Sequence, residues 1–180
     1  MHRRSLIAGL SALPVLTVLA ARPAEAQASF RFDSIDGGQY DLAEWRGRPV
    51  LVVNTASLCG YTPQYDELQV LHEEYGPRGL VVLAVPSDDF RQELGSDEDV
   101  AEFCEVNFGL TLPMTTITSV RGAGAHPFYR WLRDTYGFEP GWNFNKVLLD
   151  AQGRMVQSFG SNTRPTGGRM RREIEALLGA

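Results

Sequence analysis

Two continuously apolar runs, Pro49 to Asn54 and Leu80 to Pro86, flank one amphipathic stretch, and no other feature of the chain limits its fold so strongly. A strand buried on both faces shows no polar alternation, so each run reads as an interior strand. Between them Tyr65, Leu68, Leu71, His72 and Tyr75 recur at helical spacing, predicting a helix over about residues 63 to 75 that Gly76-Pro77 ends. Strand, helix, strand in this order closes a parallel crossover unit, which is right-handed in nearly all proteins.

The flanking sequence completes one domain. "SFRFDSIDGGQYDL" reads as a hairpin turning at Asp36-Gly37-Gly38, with Phe30, Phe32 and Tyr40 as strand residues. Asp97 to Asn107 places Val100, Phe103, Cys104 and Phe108 on one helical face, and Gly109 follows as a stop. A third helix covers "HPFYRWLRDTY", buried through Phe128, Trp131, Leu132 and Tyr136. "KVLLD" and "MVQSFG" read as an antiparallel hairpin about Ala151-Gln152-Gly153, and a last helix runs from about Thr166 to Leu178. The expected fold is α/β: a central mixed sheet with helices on both faces and an N-terminal β-hairpin, an order that fits a thioredoxin-like architecture. At 180 residues, 43% of them hydrophobic, one core is affordable.

Residues 1–26 stand apart from that domain, which is read as 27–180. "MHRRS" is a positive leader, "LIAGLSALPVLTVLAA" an apolar segment, and Ala24-Glu25-Ala26 an A-x-A cleavage site. Arg3-Arg4 with Ser5-Leu6-Ile7 also fits a twin-arginine export signal. The alternative, an uncleaved anchor, is disfavoured because Pro14 interrupts a run already shorter than the roughly 20 residues that span a bilayer. The expectation is an exported, periplasmic protein. The segment carries three arginines and one glutamate, so its removal takes the net charge from −5 to −7. No basic surface remains to release counterions from phosphate, which argues against nucleic acid as a partner.

The chain has two cysteines, and Cys59 lies where the first strand breaks into the helix. Unpaired backbone N–H groups and the positive end of the helix dipole favour a sulfur anion there. Thr62 and Pro63 are expected as N-cap and first helical residue. Position alone leaves two readings open, a nucleophile or a packed thiol, because free cysteine is also a common core residue.

Several motifs bear on the choice. "VNTASLCGYT", "GLVVLAVPSDDFRQELGS", "EFCEVNFGLTLPM", "AHPFYRWL" and "WNFNKVLLD" follow one another in the order found in the glutathione peroxidase family, which this chain resembles from about residue 30 to its C-terminus. The resemblance implies that Cys59 is the peroxidatic residue and that Gln92, Trp142 and Asn143 are its polar neighbours. Amide and indole N–H donors suit that role, since they can stabilise charge on a departing oxygen without bringing a negative charge of their own. Singly, each also has a bland reading: Trp142 as a hydrophobic cover, Gln92 and Asn143 as loop caps. Trp142 and Asn143 are adjacent, so both reach one sulfur only if the backbone turns, which Pro140-Gly141 favours. The chain departs from the family pattern in "VPSDDFRQELG". Ser87 replaces a cysteine, Asp88 and Asp89 follow it, Leu94 replaces a proline, and the segment between Phe90 and Gln92 is one residue short. The two aspartates are expected to face solvent.

In the same resemblance Cys104, within "EFC", is the resolving cysteine of two-cysteine members, which thioredoxin-like proteins regenerate. Cys59 sulfenic acid would condense with it to a disulfide, preventing further oxidation. Two other readings of Cys104 stand beside this one: a permanent structural disulfide with Cys59, or a small buried hydrophobe. The expected activity is reduction of hydrogen peroxide and organic, including lipid, hydroperoxides. Glutathione as donor, or a sensor passing oxidation to a partner protein, are the alternatives. Position 62 is threonine, so no C-x-x-C exchanger motif is present. His72 and His126, the histidines of the mature chain, have no spaced ligand cluster, and neither metal nor cofactor is expected. The short segment before Trp142 leaves little room for an assembly loop, so a monomer is expected.

Overall fold

The computed structural model describes residues 29–179, so the signal reading of residues 1–26 lies outside the described part. In chain order the elements are β1 (Arg31–Asp33), β2 (Gln39–Asp41), β3 (Val50–Thr55), α1 (Gln64–Tyr75), a 3₁₀ turn (Gly76–Arg78), β4 (Val81–Pro86), α2 (Asp97–Phe108), α3 (Pro127–Tyr136), β5 (Lys146–Leu149), β6 (Met155–Phe159) and α4 (Gly168–Leu178). The central sheet has the order β4-β3-β5-β6. β3 runs parallel to β4 and antiparallel to β5, which pairs antiparallel with β6, so the sheet is mixed as expected. β1 and β2 form the N-terminal hairpin, with Phe32 opposite Tyr40.

Successive residues of a strand point to opposite faces, so a strand with no polar alternation feeds two cores. All six residues of β3 are buried. Leu51 and Val53, with Val82, Ala84 and Leu148, pack against Tyr65, Leu68, Leu71 and Tyr75 of α1, Cys104 of α2, and Met170 and Ile174 of α4. Val50 and Val52, with Leu83, Val85, Val147 and Leu149, pack against Phe128 and Leu132 of α3 and Phe30 and Phe32 of the hairpin. Helices therefore cover both faces. Each fully buried aliphatic or aromatic side chain contributes about 1.5–3 kcal/mol. Truncating one at the centre, such as Leu51→Ala, leaves a cavity and costs about 2–5 kcal/mol.

The start of α1 differs from expectation. Pro63, not Thr62, precedes α1, and no side chain caps that helix. The Thr62 hydroxyl is engaged in the preceding loop instead. At the far end α1 stops at Tyr75 with Gly76 as its C-cap, as expected, and the chain goes on through the 3₁₀ turn that Gly79, at φ +114°, closes. The other stops are as the sequence indicates. Gly109 caps α2 at φ +57°, and His126 caps α3 by accepting the Phe128 N–H on Nδ1.

Candidate active site

Cys59 sits in the loop that leaves the C-terminal end of β3, beside the end of the parallel strand β4, the edge at which α/β sheets bind ligands. Thr62 shapes this loop. Its hydroxyl accepts the Cys59 N–H at 3.1 Å and donates to the Ala56 carbonyl at 2.9 Å, while its own N–H reaches the Cys59 carbonyl at 3.0 Å. The chain so folded back aims the Tyr61 N–H at Cys59 Sγ, 3.5 Å away. The thiol is 8% exposed, whereas neighbouring Leu58 is 60% exposed and stands at the rim.

A second wall comes from the loop after β4. The Leu58 N–H donates to the Gln92 carbonyl at 2.8 Å, and the Ser57 N–H donates to Glu93 Oε1 at 2.9 Å. These two bonds tie residues 92–93 to the residues just before Cys59. The shortened segment turns at Arg91, a non-glycine residue at φ +57°, whose N–H reaches the Asp88 carbonyl at 2.8 Å. Such a conformation is uncommon for a side-chain-bearing residue, and here it brings Gln92 back to the loop. The expectation that both aspartates face solvent fails for Asp89. Its carboxylate accepts from the Val120 N–H at 2.6 Å, the Arg121 N–H at 3.0 Å and the Ser119 hydroxyl, anchoring that segment.

The third wall is the turn before β5, and Asn54 holds it. Asn54 Nδ2 donates to the Trp142 carbonyl at 3.0 Å, Oδ1 accepts the Asn145 N–H at 3.2 Å, and its main-chain carbonyl accepts the Phe144 N–H at 2.6 Å. Phe144 takes φ +59°, which reverses the chain just before β5. Asn143 is fully buried as a result, and its Nδ2 donates to Gln92 Oε1 at 3.1 Å. Trp142 turns outward, 42% exposed, with its ring 5.3 Å from that of Phe90.

The fold thus joins Asn143 to Gln92, and the Gln92 main chain joins that pair to the residue before Cys59, whereas the Trp142 ring packs on Phe90. Cys104 approaches from α2, only 2% exposed, on the same core as Cys59 and Tyr65. Both thiols are free. Burial pushes the Cys104 thiol up to about 11; the Tyr65 hydroxyl opposes this and the Glu93 charge adds to it. Sequence reasoning missed Asn54 and Glu93. The signal for Asn54 was a lone amide ending an apolar strand, where a buried polar group must find partners. Glu93 offered none beyond its place beside Gln92.

A family model described as glutathione peroxidase matches residues 28–133. The chain belongs to the glutathione peroxidase family. Within it, this chain is 40% identical over 156 residues to the glutathione peroxidase-like peroxiredoxin 2 of Saccharomyces cerevisiae, covering 83% of this chain and 89% of that one. It is 37% identical over 163 residues to the hydroperoxy fatty acid reductase gpx1 of a Synechocystis species, covering 83% of this chain and 94% of the relative. Among solved structures, that of T. cruzi GPX1 is similar with a TM-score of 0.62 at 30% identity, covering 84% of this chain and 94% of the other. This glutathione peroxidase family member keeps the thioredoxin-like layering expected from its element order.

Proposed function

We propose that this protein is a thiol peroxidase that reduces hydrogen peroxide and organic, including lipid, hydroperoxides through Cys59. The Cys59 sulfur attacks one peroxide oxygen, an S–O bond forms as the O–O bond breaks, and water or an alcohol leaves. Gln92, Trp142 and Asn143 act as donors toward the charge that builds on the departing oxygen. The observation carrying this reading is the bonded chain from Asn143 through Gln92 to Leu58, the residue before the nucleophile. Relatives whose names specify a peroxiredoxin and a hydroperoxy fatty acid reductase support it.

Cys104 is the resolving thiol in this reading. It displaces water from the Cys59 sulfenic acid to give a Cys59-Cys104 disulfide, which a thioredoxin-like dithiol protein reduces by exchange. The protein acts as an exported, periplasmic monomer after cleavage following Ala26, with N-terminal sequencing of the secreted chain as the check. For the chemistry, peroxide consumption is followed with thioredoxin or glutathione supplied in turn. Cys59→Ser must abolish it. Cys104→Ser must remove the thioredoxin-coupled rate, and full turnover of Cys104→Ser with glutathione alone would replace the proposed donor.

A further inference from the structure

A strip of aromatic and cationic side chains borders the Cys59 loop. Leu58 and Trp142 are two of the five large apolar side chains exposed among the described residues, and both adjoin the loop after β4, Leu58 through its bond to Gln92 and Trp142 through its ring contact with Phe90. Exposed apolar groups that cluster at one site mark a surface for an apolar ligand, whereas scattered ones mean little. The Arg121 guanidinium lies over the Phe90 ring, 5.1 Å from its centre, so the strip runs from Trp142 through Phe90 to Arg121 in steps of 5.3 and 5.1 Å. Arg91 adds a second exposed cation between Phe90 and Gln92, in the segment where the chain departs from the family pattern. Neither guanidinium has an ion-pair partner among the described residues. Carboxylates of the same region accept main-chain N–H groups instead: Asp88 that of Glu93 at 3.2 Å, Asp89 those of Val120 and Arg121, and Glu139 that of Gly122 at 2.6 Å.

Resting on Cys59 as the peroxidatic residue, we propose that this strip selects amphipathic hydroperoxides that end in a carboxylate, the fatty acid hydroperoxide class. The carboxylate pairs with Arg121, and Arg91 adds to the local positive charge. The alkyl chain lies across Phe90, Trp142 and Leu58, and the hydroperoxide group reaches Cys59. A guanidinium seated over a ring face keeps its N–H edge for a carboxylate, which it can bind through two bonds at once. Two successive ring-to-ring and ring-to-cation steps separate the charge from the indole, so an apolar chain must join peroxide and anion, and a short peroxy acid does not fit. With a net charge of −5 the protein as a whole repels an anion, and local cations are what reverse that repulsion at the site. The reaction is otherwise unchanged. The S–O bond forms at Cys59 and the O–O bond breaks; the sulfur is oxidised to the sulfenic acid and the hydroperoxide reduced. The thiol proton goes to the departing oxygen, and a hydroxy fatty acid leaves with its carboxylate intact.

The test compares linoleic acid hydroperoxide with its methyl ester, both in one non-ionic detergent, with hydrogen peroxide and with phosphatidylcholine hydroperoxide in phosphatidylcholine vesicles. The mature chain is assayed with excess thioredoxin beside Arg121→Gln, Arg121→Lys and the double variant Arg91→Gln/Arg121→Gln. Wild type should prefer the acid to its ester, and about 0.5 M salt should erase the preference. Arg121→Gln should lower kcat/KM for the acid about two- to fivefold through KM, as loss of an exposed ion pair does, and the double variant should lower it further. Arg121→Lys should restore part of the loss, and all variants should keep wild-type rates on the ester and on hydrogen peroxide. Equal wild-type rates on acid and ester, an unchanged preference in the double variant, or an equal loss on every peroxide would overturn the selection and leave Cys59 as the nucleophile. Arginine-dependent preference for the phospholipid over the free acid would replace the carboxylate by a headgroup phosphate and overturn the class named here. A wild type that consumes none of the four peroxides would overturn the peroxidase reading and this inference with it.

Discussion

Asn143 Nδ2 donates to Gln92 Oε1 across 3.1 Å, joining the turn before β5 to the loop after β4. Each amide thereby fixes the other, and the Gln92 carbonyl in turn holds Leu58. Asn143→Ala should lower kcat/KM for hydroperoxide about 10²- to 10³-fold, as loss of one preorganised donor does. Gln92→Ala should cost as much, and the double variant less than the product of the two, because the residues act as one unit. Steady-state peroxide consumption on the four proteins checks both statements.

Asn54 should matter although it touches no reactant. Asn54→Ala removes the bonds to the Trp142 carbonyl and the Asn145 N–H, leaving both without their partner. A loss of about 2–4 kcal/mol in urea unfolding is expected, together with reduced activity from a turn no longer held at Phe144.

Cys104 should be a slow thiol in the folded protein. Its titration is raised from an ordinary 9.0 to about 11 by burial, so alkylation of native Cys104 should be slow below pH 9 and accelerate toward pH 11. The folded state holds the proton more tightly than the unfolded one, so this contribution is complete below the unfolded value and is lost as pH rises through about 11. The stability difference between wild type and Cys104→Ala should therefore shrink over that window, by roughly 2–3 kcal/mol for a shift of this size. Guanidinium unfolding at several pH values measures it.

Helix α2 should loosen when the disulfide forms. Cys104 is buried in the middle of Asp97–Phe108, capped at one end by Ser96 and at the other by Gly109, so on the proposed cycle the helix gives way as its sulfur bonds to Cys59. Amide exchange across residues 97–109 should be slow in the reduced protein and faster after one equivalent of peroxide. Equal protection in both forms would remove Cys104 from the cycle.

Lys146 should be a structural requirement. Its buried Nζ donates to Gln64 Oε1 and to the carbonyls of Thr163 and Ser161, tying β5 to the first turn of α1. Burial lowers the ammonium to about 7 while the nearby Glu67 charge opposes the shift, and three acceptors suit the protonated form. Lys146→Met leaves those acceptors unpaired and should lower stability by about 2–4 kcal/mol in thermal or urea unfolding.

By itself the sequence determined the fold and the place of Cys59 in it. Short unbroken apolar runs rich in valine read as interior strands, helical spacing in Tyr65 to Tyr75 and Val100 to Phe108 buries one face, and the break at Cys59 falls between the two kinds of element. Those signals are local, carried by residues a few positions apart. What tertiary structure alone decided is how distant side chains meet. Thr62 reads as a helix cap but is drawn into the loop by Cys59 and Ala56, Asp89 reads as solvated but is captured by the main chain thirty residues on, and Asn54 holds a turn some ninety residues away. A polar side chain bonds whichever unpaired group the packed chain brings within 3 Å or so. Hydrophobic periodicity fixes the layers that set those distances, and it says nothing of which donor finds which acceptor once the layers have closed.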